Sequence, residues 1–104
     1  MLKIVENHEQ LMDAINSKPI VVVDFYADWC GPCRMLLPII EELAKEMNDV
    51  LFVKANVDIN RASAQEFGVK SVPTLFLYKN KKRVSERSGY QPKANLVSWI
   101  KNTN

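Results

Sequence analysis

The stretch "VDFYADWCGPCR", Val23–Arg34, joins the most hydrophobic segment of the chain to its longest amphipathic one, and both cysteines of the protein lie at the junction. Ile20 to Tyr26, "IVVVDFY", is β-branched and aromatic on both faces, the pattern of a strand covered by helices on each side. From Pro32 to about Met47, apolar Met35, Ile39, Leu43 and Met47 recur every four residues, flanked by Leu36, Ile40 and Ala44, as on one side of a helix. Pro38 removes one backbone hydrogen bond inside that helix and is expected to bend it. Cys30 thus falls at the carboxyl end of a strand, where open α/β sheets usually place their working sites.

Outward from this junction, apolar segments of two periodicities alternate without an internal repeat or a long linker. "LKIV" reads as a short first strand, and "NHEQLMDAI" as a helix that Asn7 caps, with Gln10 three residues on as in a capping box. "VLFVKANV", Val50 to Val57, reads as a third strand. Asp58 or Asn60 then caps a short helix that ends near Phe67, with Gly68 as its stop. "TLFLY" and "RVSERS" read as strands joined by the basic turn "KNKKR", where the absence of Gly after Asn80 points to a loop longer than a two-residue primed turn. Gln91-Pro92 opens a last helix, with Pro92 in its first turn and Leu96, Val97, Trp99 and Ile100 facing inward. Helices between the early strands imply parallel neighbours, and the late hairpin implies an antiparallel edge. The expectation is one α/β domain, residues 1–104, with a central mixed five-stranded sheet flanked by four helices.

Composition narrows the function. A chain of 104 residues, 47% hydrophobic and 25% charged, buries enough apolar surface to fold without a covalent staple. A net charge of +2 gives no argument for nucleic acid, and "KNKKR" carries no interleaved aromatics for base stacking, so it reads as a solvated turn. "MLKIVENHEQ" contains no apolar run of the secretory kind, and Ile20–Val23 is far too short to span a bilayer. A cytoplasmic location is therefore expected, where a close cysteine pair is more often metal-binding or catalytic than structural.

Cys30 and Cys33 are three residues apart, which on a first helical turn puts their Cβ atoms ~5 to 6 Å from each other. A disulfide needs ~3.5 to 4.5 Å, so a small tightening interconverts dithiol and ring on one backbone. Gly31 keeps the turn permissive, and Pro32 lacks an N–H where a helix has unsatisfied donors anyway. The partial positive charge and free N–H groups of the helix N-terminus favour the thiolate at Cys30, lowering its pKa below the free value of about 8.5. Such a thiolate attacks a disulfide and is released when its neighbour attacks in turn. Cys33, one turn inside the helix and less exposed, suits the resolving role.

Other readings of the pair are weaker. A structural zinc site needs four ligands, and beside the two cysteines the chain offers only the distant His8, which reads as a surface helix residue. Haem attachment needs His after the second cysteine, where Arg34 stands. A static disulfide closing so short a loop constrains the unfolded chain little.

The motif "WCGPC" within "VDFYADWCGPCRMLLP", "KANVD" at 54–58 and "FGVKSVPTLFLYKN" at 67–80 together resemble the thioredoxin family over nearly the whole chain. That family is itself the standard instance of a lowered Cys-x-x-Cys pKa. The resemblance implies Cys30 as the attacking nucleophile and Cys33 as the resolving thiol. Asp24 matches a buried acid beneath the pair and Lys54 its partner lysine, so that Asp24, with a pKa raised by burial, exchanges a proton with Cys33. Gly31 and Pro32 tune the pair. Pro73 matches a cis proline facing the cysteines, which leaves the backbone of Val72 free to pair with an extended substrate. With Trp29, Gly31, Pro32 and Gly89, Val72 would form an apolar platform around Cys30.

The resemblance further implies a protein that reduces protein disulfides, is expected as a monomer, holds no cofactor or metal, and takes electrons through a thioredoxin reductase, from NADPH, with a ferredoxin-linked reductase as the alternative donor. Nucleic acid and membrane are not expected among its partners. Gly-Pro between the cysteines resembles the reducing members, with oxidase or isomerase the near alternative and a thiol-independent binding subunit the distant one. Two departures stand out. Tyr26 replaces a frequent Trp, and Tyr90 follows Gly89 where a small residue is common, reshaping the client surface.

Overall fold

The computed structural model describes residues 1–104. Its elements run β1 (Leu2–Val5), α1 (His8–Ser17), β2 (Ile20–Tyr26), α2 (Gly31–Glu46), β3 (Leu51–Asn56), α3 (Arg61–Phe67), β4 (Thr74–Lys79), β5 (Lys82–Ser88) and α4 (Lys93–Asn102). One sheet has the order β1-β3-β2-β4-β5, with β1, β3 and β2 parallel and β4 and β5 antiparallel to their neighbours. No helix is long and apolar enough to cross a membrane.

Strand pleating sorts β2 between two layers, because successive side chains point to opposite faces. Val21, Val23 and Phe25 pack with α1 residues Leu11, Ala14 and Ile15, and Phe25 meets Phe67 of α3 and Phe76 of β4 edge-on at 5.5 and 5.7 Å. Val22 faces the other layer, built from α2 and α4 with Leu36, Ile40, Leu43, Leu96, Trp99 and Ile100. Asp24 shares the parity of Val22, so the pleat aims its carboxylate toward α2. Lys54 of β3 is its register partner and has the parity of Phe52, which lies in that same layer.

Local chemistry accounts for most boundaries. Asn7 accepts the Gln10 N–H at 2.8 Å as the cap of α1, while the Gln10 side chain accepts from the Glu6 N–H, one residue earlier than in the usual box. Gly68 ends α3 at φ 74°. Pro38 lies within α2, which continues through it to Glu46.

Four expectations change. Met35 is 62% exposed and off the buried stripe, which is Leu36, Ile40, Leu43 and Ala44. A strict four-residue repeat turns about 40° per step on an α-helix and drifts away from the core. Pro92 is the N-cap of α4 and not part of its first turn. Asn60 precedes α3 without a side-chain cap bond; its Nδ2 instead donates to the carbonyls of Val5 and Asn56 at 3.1 and 3.0 Å, tying β1 to β3. The β4–β5 hairpin is the tight turn after all, since Asn80 and Lys81 both adopt positive φ, 52° and 72°, between the paired Lys79 and Lys82. Holding Lys81 there costs roughly 1 to 2 kcal/mol that glycine would avoid.

Candidate active site

At the carboxyl end of β2 the chain leaves the sheet, passes Ala27 to Trp29, and enters α2 with Cys30 as its N-cap. Cys30 and Cys33 are joined by a disulfide, their Cα atoms 5.3 Å apart. The helix supplies the polarisation: the Cys33 N–H points at Cys30 Sγ from 3.2 Å, as an N-terminal donor points at a capping oxygen. Pro32, in the first turn, takes a place that needs no donor. A Cβ on Gly31 would meet nothing within 4 Å, and its φ is not in the left-handed region. The turn thus does not require glycine; the missing side chain leaves open space beside the disulfide.

Both cysteines are buried as residues. Cys30 is 5% exposed and Cys33 4%, so the two differ little where the sequence suggested an open thiol and a shielded one. Covering comes partly from the segment before β4, where the Val72–Pro73 bond is cis and the Val72 carbonyl oxygen lies 3.6 Å from Cys30 Sγ. The Gly89 N–H donates to the Pro73 carbonyl at 2.9 Å, which extends the Thr74–Ser88 pairing by one step. Gly89 has φ 83°, so here the residue is needed for its conformation.

Trp29 is 69% exposed beside Cys30, and its indole N–H donates to Asp58 Oδ2 at 3.1 Å. Asp58 is a residue beside the disulfide that the sequence reading did not place there. Asp58 looked like a helix cap, and only the fold shows that its carboxylate turns to the indole. Arg34 is likewise held in place, donating to the Asp28 carbonyl at 2.8 Å.

Beneath the disulfide a cleft of about 270 Å³ is lined by Asp24, Tyr26, Cys33, Arg34, Leu37 and Lys54, among others. Asp24 is buried, and its Oδ1 has no hydrogen-bond partner. Burial pushes its pKa from 3.8 to about 7, while the positive charge of Lys54 pulls the other way. Lys54 makes no direct ion pair with it; its Nζ sits 4.7 Å over the Tyr26 ring. A carboxylate near half-ionisation at neutral pH, opening on the same cleft as a cysteine sulfur, is chemically suited to pass a proton to it or take one from it.

The family model for thioredoxin matches residues 3–102. The thioredoxin of Rickettsia typhi is 45% identical over 89 residues, 85% of each chain, and that of Chlamydia muridarum 43% identical over 100 residues, 96% of each. Among solved structures, a mutant thioredoxin from Halobacterium salinarum superposes with a TM-score of 0.91 at 40% identity, covering 97% of this chain and 88% of that one. Fasciola hepatica thioredoxin gives 0.91 at 36% identity, over 98% and 99%. A helix-capping disulfide on this fold, with these relatives along nearly its whole length, places the chain in the thioredoxin family as a thiol-disulfide oxidoreductase that acts by dithiol-disulfide exchange at Cys30 and Cys33.

Proposed function

We propose that the protein, a single domain working as a monomer in the cytoplasm, reduces disulfides of client proteins and is recharged by a thioredoxin reductase drawing on NADPH. The observation that carries the division of labour is the Cys33 N–H directed at Cys30 Sγ. It stabilises negative charge on the first sulfur and none on the second.

In the reduced protein the Cys30 thiolate attacks one sulfur of a client disulfide, forming a mixed disulfide and releasing the other client sulfur as thiolate, which takes up a proton. The Cys33 thiol gives its proton to the Asp24 carboxylate through the shared cleft and attacks Cys30 Sγ. The Cys30–Cys33 bond forms, the mixed disulfide breaks, and the second client thiolate leaves. That thiolate takes up a proton from solvent as Asp24 gives its own up. Two electrons thus pass from the cysteine pair to the client, and two protons follow by way of solvent, one lost when Cys30 ionised and one from Cys33 through Asp24. The reductase returns them.

Lys54, on the cleft wall, moderates the Asp24 pKa without neutralising it in an ion pair. Trp29, braced by Asp58, together with Gly31, Pro32, Val72, Pro73 and Gly89, receives an extended client segment; the backbone of Val72 offers strand-like hydrogen bonds next to the reacting sulfur. The test is a coupled assay with NADPH, a thioredoxin reductase and a disulfide-bonded test protein. Turnover that depends on Cys30 is expected. Folded protein that reduces nothing contradicts the proposal.

A further inference from the structure

At the far end of β2 from the disulfide, the β4–β5 turn docks against the α1–β2 loop. The Asn80 N–H donates to the Pro19 carbonyl at 2.8 Å, and Asn16, Ser17, Lys18, Pro19, Asn80 and Lys81 line one cleft of about 260 Å³. Two fixed segments therefore present Lys18 and Lys81 to the same hollow, with Lys82 exposed at the next position. None of these three cations makes an ion pair. Lys79, beside them in the turn, is committed to the Thr103 carbonyl.

Charge alone would be an ordinary solvated surface, but Lys81 is not at an ordinary position. At φ 72° it occupies the turn residue where glycine is unstrained, so the chain carries a destabilising side chain at a position that lines the cleft. From this juxtaposition we propose that the hollow formed by Lys18 and Lys81, flanked by Lys82, is a docking site for an acidic segment of a protein partner, one or two of whose carboxylates enter it.

The remaining chemistry selects a protein over other polyanions. No aromatic residue lines the cleft, so bases would find no stacking surface. The exposed large apolar residues, among them Trp29, Ile59 and Tyr90, lie outside the turn and the α1–β2 loop, so nothing here would insert into a bilayer. A carboxylate side chain fits a hollow of that volume, which is lined by two cations from separate segments of the chain. Because β2 spans about 20 Å, a partner held here leaves the disulfide free to react.

The probe is a synthetic peptide of alternating Glu and Gly, titrated into the oxidised protein and followed by backbone amide NMR shifts at moderate salt. Shifts confined to residues 16–19 and 80–82 are expected, with affinity falling about tenfold in the Lys18→Gln, Lys81→Gly double variant. Lys81→Gly alone should bind more weakly while melting at a higher temperature, which separates lost charge from lost fold. Uniform shifts across all surface lysines would overturn the proposal, as would unchanged affinity in the double variant. So would tighter binding of a DNA duplex or of anionic vesicles at equal charge. Disulfide reduction by the double variant, measured with a small-molecule disulfide, should equal that of the parent, so this result and the exchange reaction fail independently.

Discussion

The two ends of β2 treat polar groups in opposite ways. At its start, Ile20 to Val23 are apolar, and the adjoining turn satisfies its backbone through the Asn80–Pro19 hydrogen bond, leaving its lysines in solvent. At its end, one residue past that apolar run, Asp24 is buried with an unpartnered oxygen beneath a disulfide. Both ends contain a locally unfavourable feature: a strained lysine at one, a desolvated carboxyl at the other. The difference is where the charge sits. A solvated cation can recruit a partner by attraction, whereas a buried acid whose pKa lies near 7 can hold or release a proton on demand.

The sharpest break in this contrast comes from Cys30→Ser. With the attacking sulfur gone, turnover in the coupled assay should fall on the order of a thousandfold or more, while the fold is retained. A variant that keeps a tenth of the activity would move the chemistry elsewhere.

Asp24→Asn should lower turnover near neutral pH by roughly a hundredfold, with the loss falling on resolution of the mixed disulfide. The same substitution tests burial through stability. Well below pH 4 the carboxyl is protonated in folded and unfolded chains alike, and its burial carries little penalty. As the pH rises from about 4 to 7, the unfolded chain releases the proton while the folded chain retains it, so stability falls; above 7 the loss levels off at about 4 kcal/mol. Denaturant unfolding of the oxidised protein should therefore show Asp24→Asn more stable than the parent by a few kcal/mol at pH 8 and nearly equal at pH 4. Equal differences at both pH values would mean that the carboxyl is not desolvated.

A smaller effect is expected at the rim. Trp29→Ala should raise KM for a protein client about fivefold to tenfold, and Asp58→Ala, which frees the indole, should raise it less. A small-molecule disulfide should register neither change. Tyr90→Ala should alter the ranking of protein clients in the same assay, because Tyr90 is a large exposed side chain directly after Gly89, whose N–H is tied to Pro73. The smallest effect belongs to the opposite end, where Lys81→Gly should stabilise the protein by about 1 kcal/mol through relief of its positive φ.

How far the sequence reveals this depends on whether a feature is local. The parity of β2 aims Asp24 and Val22 to one face, the strand-helix junction puts Cys30 at a sheet end, and Asn7 and Gly68 punctuate their helices; each follows from neighbours a few residues away. Asp58 with Trp29, Asn60 with Val5, and Val72 over Cys30 are contacts across the chain, and no local pattern announces them. Cys30 shows the limit most plainly: its place at the helix N-terminus was readable, but its burial was not, since part of the cover comes from Val72, 42 residues further along the chain. The turn at Asn80 failed for another reason. Statistics favour glycine there, yet pairing of Lys79 with Lys82 forces two left-handed residues whatever their side chains.

The α2 N-terminus should ionise Cys30 ahead of Cys33. In the reduced protein, alkylation by iodoacetamide followed against pH, with the labelled cysteine identified by peptide mapping, measures this directly. Cys30 should react first, on a titration curve with its midpoint clearly below the ordinary thiol value of about 8.5. A midpoint at or above that value, or prior labelling of Cys33, would contradict it.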